Sequence, residues 1–76
     1  MARNPDLVRQ YLRLTADERR RVFLSTREAA SLVGLAQRTV QSWIVEGKLE
    51  AIRLGGRYLV HSDSLARLVR AANEED

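Results

Sequence analysis

Residues 25–49 read STREAASLVGLAQRTVQSWIVEGKL. Ser25-Thr26-Arg27-Glu28 places a hydroxyl residue three positions before a carboxylate, so each side chain can satisfy a backbone N–H that the first turn of a helix leaves open. A helix therefore starts at this point. Ala29, Ala30, Leu32 and Val33 supply its apolar face, and the paired alanines leave room for a second helix to cross closely. Gly34 suits the left-handed residue that closes such a helix, and Leu35 is the apolar residue expected to pin the turn to the core. The next helix runs from about Gln37 to Glu46, with Gly47 ending it. Val40, Trp43 and Ile44 recur at i, i+3 and i+4 and so face inward together. The opposite face carries Gln37, Arg38, Gln41, Ser42 and Val45, a mostly polar surface rich in hydrogen-bonding groups. Two short helices around a tight turn, the second with such a face, form the layout that lays one helix in the DNA major groove.

Downstream, Leu49–Leu54 reads as a strand, Gly55-Gly56 as a two-residue turn and Arg57–His61 as the returning strand. A turn of that length pairs Arg53 with Tyr58 and Ile52 with Leu59. Apolar residues fall on both faces of this hairpin, which leaves the register open. Ser62 is placed to cap a last helix, on which Leu65, Leu68 and Val69 form an apolar stripe; the residues after Ala72 are expected to fray. Upstream, Asn4 is a good N-cap and Pro5 suits the first helical position. Leu7, Val8, Tyr11 and Leu12 then share one face of a helix over about 5–13. Thr15-Ala16-Asp17-Glu18 is another capping box. The short helix it starts passes through Arg19-Arg20-Arg21 into Val22-Phe23-Leu24, which can turn extended.

The chain has 76 residues, the size of one domain. A domain this small buries only about 60% of its unfolded surface. With no cysteine and one histidine, neither a disulfide framework nor a zinc site is expected. No apolar run approaches the roughly 20 residues of a membrane span. The opening MARNPDLVRQ has no signal-peptide apolar region, so a cytoplasmic location is expected. The formal net charge is +3. Residues 1–24 hold six Arg against Asp6, Asp17 and Glu18, and residues 25–61 hold five basic and three acidic side chains. After residue 61 the balance turns acidic, ending in Asn73-Glu74-Glu75-Asp76. The basic surface therefore lies in the body of the chain, a weak pointer to a polyanionic partner.

From Leu24 to Val69 the chain resembles the excisionase family of small winged helix-turn-helix proteins, relatives of the MerR-type DNA-binding domain. The residues that carry the resemblance are Leu24-Ser25 before Glu28-Ala29-Ala30, Gly34-Leu35, Arg38-Thr39-Val40 with Trp43-Ile44, and Glu46-Gly47-Lys48-Leu49. The wing follows as Ala51-Ile52-Arg53-Leu54-Gly55-Gly56-Arg57-Tyr58, and Tyr58-Leu59-Val60-His61 is similar to the returning wing strand of phage excisionases. The match covers about 46 of the 76 residues. One position departs from the pattern: Ala36 stands where the family usually has Ser or Thr capping the second helix, a loss of ~1 kcal/mol. The implied fold is mostly α with a small β-hairpin, a winged helix-turn-helix over residues 24–72, with a helical extension over 1–23 and an acidic tail over 73–76.

The resemblance also implies where DNA would sit. Gln37, Arg38, Gln41 and Ser42 are the residues expected to reach base edges, since Arg pairs bidentately with guanine and Gln with adenine. Thr39 and Lys48 suit phosphate contacts, which position without specifying. Arg53 and Arg57 flank the Gly-Gly tip and suit the backbone or a narrow minor groove, with pairing to Glu46 or Glu50 the alternative for Arg53. The bland reading of all these positions is a solvated surface. Trp43 has core spacing, His61 is structural or a phosphate neighbour, and the Arg19-Arg20-Arg21 run is either a solvated face or a phosphate holder. No catalytic set, metal cluster or phosphate-cradling glycine loop is present, so no cofactor and no enzymatic activity are expected. The expected role is a sequence-specific duplex-DNA-binding protein of the excisionase type, phage- or bacterium-encoded, that bends DNA and assists an integrase. A transcription regulator with the same domain is the first alternative. A protein-interaction module is the second, with Leu7, Val8, Tyr11 and Leu12 docking a partner, covering the domain's own core or forming a dimer. An integrase, and self-association on DNA or through the N-terminal helix, are the candidate partners beside DNA.

Overall fold

A computed structural model describes residues 5–74. In chain order it holds α1 (Pro5–Arg13), α2 (Ala16–Val22), β1 (Phe23–Ser25), α3 (Thr26–Val33), α4 (Gln37–Val45), β2 (Ala51–Leu54), β3 (Arg57–His61) and α5 (Ser62–Glu74). The proposed Asn4 cap and the end of the acidic tail lie outside the described residues. α5 runs through Glu74, beyond Ala72 where fraying was expected, and Ser62 is its first helical residue rather than the residue before it.

Local chemistry sets the helix boundaries. Thr15 accepts from the Glu18 N–H at 3.2 Å while Glu18 Oε1 accepts from the Thr15 N–H at 2.8 Å. The Thr15 backbone N–H, and after it the Thr15 hydroxyl, hold the Glu18 carboxyl below its usual pKa, with burial opposing them and Arg21 adding a lesser lowering. Ser25 and Glu28 repeat the arrangement at the start of α3, both bonds at 3.0 Å. At its end Gly34 sits at φ 72. The Leu35 N–H bonds the Ala30 carbonyl at 3.0 Å and the Gly34 N–H bonds that of Ser31 at 3.3 Å, the pair of bonds that closes a helix on a left-handed glycine. A Cβ added at Gly34 would meet nothing within 4 Å. Gly34→Ala should therefore cost only the left-handed backbone, about 1–2 kcal/mol, read as a drop in urea midpoint at unchanged slope. An unaltered midpoint would mean that the turn does not require this conformation.

The strands form one antiparallel sheet in the order β1-β3-β2. Arg53 pairs with Tyr58 and Ile52 with Leu59, the register expected from the turn. Gly55 and Gly56 both have positive φ, 56 and 80, as the two-residue hairpin turn requires. The third strand is β1, which pairs Phe23 with His61 and Leu24 with Val60. It makes β3 central and explains why apolar residues occur on both faces of the hairpin: both faces are covered. One face, with Leu24, Ala51, Tyr58 and Val60, packs on Ala29, Ala30, Val40, Ile44, Leu49 and Leu65. The other, with Phe23, Ile52, Leu54 and Leu59, is covered by Leu7 and Tyr11 of α1.

The N-terminal helix thus closes the domain's own core rather than standing clear of it. Arg19 ties it down: Nε donates to the Tyr11 carbonyl at 2.8 Å and the guanidinium lies 4.4 Å from the Tyr11 ring centre. This gives the Tyr11 carbonyl, which also accepts from the Leu14 N–H at 3.3 Å, a second donor at the end of α1 and adds a cation–π contact. Val8 and Leu12, on the same stripe by sequence, remain exposed. Two further expectations are corrected. Leu32 is 71% and Leu35 43% exposed. On an eight-residue helix the buried face is taken by Thr26, Ala29 and Ala30, and Leu32 falls outside it. Leu35 secures the turn through its backbone N–H, not its side chain.

Candidate DNA interface

α4 is held by what lies beneath it. Val40 and Ile44 are buried, and Trp43 is half-buried against the same core. That placement makes Trp43 a packing residue, as its spacing predicts. The helix ends in a second glycine closure: Gly47 has φ 79, the Lys48 N–H bonds the Trp43 carbonyl at 2.9 Å and the Gly47 N–H bonds that of Ile44 at 3.1 Å. With the inner face fixed, Gln37, Arg38, Gln41, Ser42 and Val45 all lie exposed on the outer one. They fall at i, i+1, i+4, i+5 and i+8, which keeps them on one side of the cylinder.

Within that face the residues differ. Arg38 is exposed and has no ion-pair partner among the described residues. Gln41 and Ser42 are likewise exposed. Thr39 is half-buried, with its N–H bonded to the Ala36 carbonyl at 3.0 Å. Ala36 itself provides no side-chain cap. Gln37 is already engaged: its Nε2 donates to Thr26 Oγ1 at 2.7 Å. That bond joins the first turn of α3 to the first turn of α4. Arg27, which sequence reasoning passed over, is exposed beside Thr26 and so near the start of α4. Its signal was its place in the first turn of the leading helix, where backbone N–H groups and the helix dipole favour an anion.

The wing arginines occupy different settings. Arg53 pairs across the ladder with Tyr58 and Arg57 with Leu54, so strand alternation sends the two arginines to opposite faces of the hairpin. The Arg53 guanidinium lies over the Tyr58 ring at 5.4 Å. Its suggested carboxylate partners are used elsewhere: Glu46 pairs with Lys48 at 3.2 Å and Glu50 with Arg67 at 3.2 Å. Arg57 is exposed, with no ion pair among the described residues. Lys48 would have to leave Glu46 to meet a phosphate, a small cost because an exposed pair is worth only about 0–1 kcal/mol. The hairpin's entry is anchored to α5, where Ser64 Oγ accepts from the Glu50 N–H at 2.9 Å.

The remaining candidates fall away from this surface. His61 is buried, its ring centre 5.5 Å from that of Phe23, which makes it a core residue on the α1 side and not a phosphate neighbour. In the arginine run, Arg19 is committed to Tyr11 and Arg20 pairs with Asp17 at 3.9 Å. Among the described residues no group of three or more His, Cys, Asp or Glu could hold a metal ion, and no helix is long and apolar enough to cross a membrane.

Residues 23–73 match the helix-turn-helix domain family. An excisionase of Mycobacterium phage D29 is 38% identical over 47 residues, which span 60% of this chain and 84% of that protein. The chain is an excisionase-family helix-turn-helix DNA-binding protein. The helix-turn-helix family match begins at β1 and ends in α5, and so takes in the whole three-stranded sheet together with α3 and α4.

Proposed function

We propose that this excisionase-family protein is a recombination directionality factor: it binds double-stranded DNA at a defined sequence, bends it and assists an integrase in excision. The observation that carries the reading is the exposed face of α4, free of ion pairs among the described residues, beside a Gly-Gly wing with an unpaired arginine. Arg38, Gln41 and Ser42 face the bases, with Gln37 at the leading edge. Val45 is 64% exposed at the end of that face and suits a thymine methyl. Arg27, Thr39 and Lys48 take phosphates, and Arg57 takes the backbone or minor groove, with Arg53 held back over Tyr58. A helix in the major groove and a wing in the neighbouring groove grip one side of the duplex, which favours a bend toward the protein. Residues 24–72 form the DNA-binding unit, and α1 packs on one face of its sheet. The protein would work in the cytoplasm of a bacterial host, on DNA.

Two experiments test this. Arg57→Ala should weaken binding and lower the slope of log affinity against log salt by about one unit; an unchanged slope removes Arg57 from the phosphate contacts. Addition of the protein to its cognate integrase should raise excision of the integrated element and shift the mobility of circularly permuted fragments. Binding without either effect would leave a DNA-binding protein that is not a directionality factor.

A further inference from the structure

We propose that Thr26 is a positioning residue for base recognition: buried in the first turn of α3, it presets the Gln37 amide to read adenine. The inference rests on the reading of α4 as the base-contacting helix. A long, exposed glutamine at the first position of a helix ordinarily samples many rotamers. Here the side chain is tethered across the turn, Nε2 to Thr26 Oγ1 at 2.7 Å, by an acceptor that is only 8% exposed. The tether also stands where the usual cap is missing, since Ala36 provides no side-chain bond.

The tether has a consequence for chemistry as well as for position. A primary amide offers two N–H donors and one carbonyl acceptor. With one N–H given to Thr26, a single N–H and the carbonyl oxygen remain. One donor beside one acceptor is the set that adenine requires through N7 and its N6 amino group, whereas guanine presents two acceptors at N7 and O6. The bond to Thr26 therefore withdraws the second donor that guanine could use and keeps the adenine edge whole. A residue with no contact to DNA would in this way set the preference at one base pair.

The test is a single-base substitution profile of the protein's selected site, measured by competition binding. Thr26→Val removes the acceptor and keeps the side-chain shape. It should lower the preference for adenine at one base pair by about tenfold while leaving the other positions unchanged. Thr26→Ser should retain the wild-type profile. In a Gln37→Ala background, Thr26→Val should change nothing further at that pair. An unaltered Thr26→Val profile, or an equal loss on every sequence, overturns the proposal. Arg38→Ala separates the two levels: if its profile changes and that of Thr26→Val does not, the helix reads bases but Thr26 does not direct it; if neither changes, the reading of α4 fails as well. The unsubstituted protein provides a second measurement. By NMR the Gln37 side-chain amide should show contacts to the Thr26 methyl and exchange with water more slowly than that of Gln41. Equal exchange with no such contacts overturns the proposal without any variant.

Discussion

Phe23→Ala is expected to lower stability by about 3–5 kcal/mol. Phe23 is 4% exposed and is central to the smaller of the two core clusters, packed with Leu7 and Ile52. Its ring meets Tyr11 edge-on at 5.4 Å and His61 at 5.5 Å. Truncation leaves a cavity where α1 packs on β1 and β2. Total stability of a domain is about 5–15 kcal/mol, and a chain this short sits toward the lower end, so the variant should be partly unfolded at room temperature. Urea unfolding measures it. A loss below about 1 kcal/mol would mean that the α1 side is not part of the cooperative unit. Because Phe23 is remote from the outer face of α4, the fraction that remains folded should bind DNA normally.

Arg38→Ala is expected to weaken specific binding roughly five- to 150-fold, the range set by about 1–3 kcal/mol for one bidentate base contact. Arg38 is exposed on the first turn of α4 with no competing carboxylate among the described residues. Among the described residues truncation removes no ion pair or side-chain hydrogen bond of Arg38, so the melting temperature should stay within a degree or two. The loss should concentrate at one guanine, and binding to random duplex should fall far less. Arg38→Lys should not restore the preference, because an ammonium lacks the planar fork that meets N7 and O6 together. Equal weakening on all sequences would assign Arg38 to a phosphate.

The elements that local chemistry writes were legible in the sequence. Both capping boxes, the Gly34 closure and the Gly55-Gly56 turn depend on residues within a few positions of one another. The turn length implied the observed pairing of β2 with β3, but apolar residues on both faces of the hairpin left the register open. What was not legible depends on distant contacts. β1 is three residues long and exists because β3 pairs with it, a partnership that no short window contains. The same strand explains why the hairpin read as apolar on both sides. Leu32 was placed by helical period, but Thr26, Ala29 and Ala30 of its short helix took the buried side. At the candidate site, the exposed face of α4 could be read from its period. The side-chain partners could not: the bond from Gln37 to Thr26 crosses a turn, and the seat of Arg53 over Tyr58 depends on the register.

This chain is proposed to read duplex sequence through α4. Selection of bound duplexes from a random pool, by the wild-type protein and by Arg38→Ala in parallel, tests it most directly. The expected result is one enriched motif for the wild type, containing a guanine whose enrichment disappears in the variant while the rest of the motif survives. No enrichment by the wild type, or an identical motif from both proteins, would contradict the account.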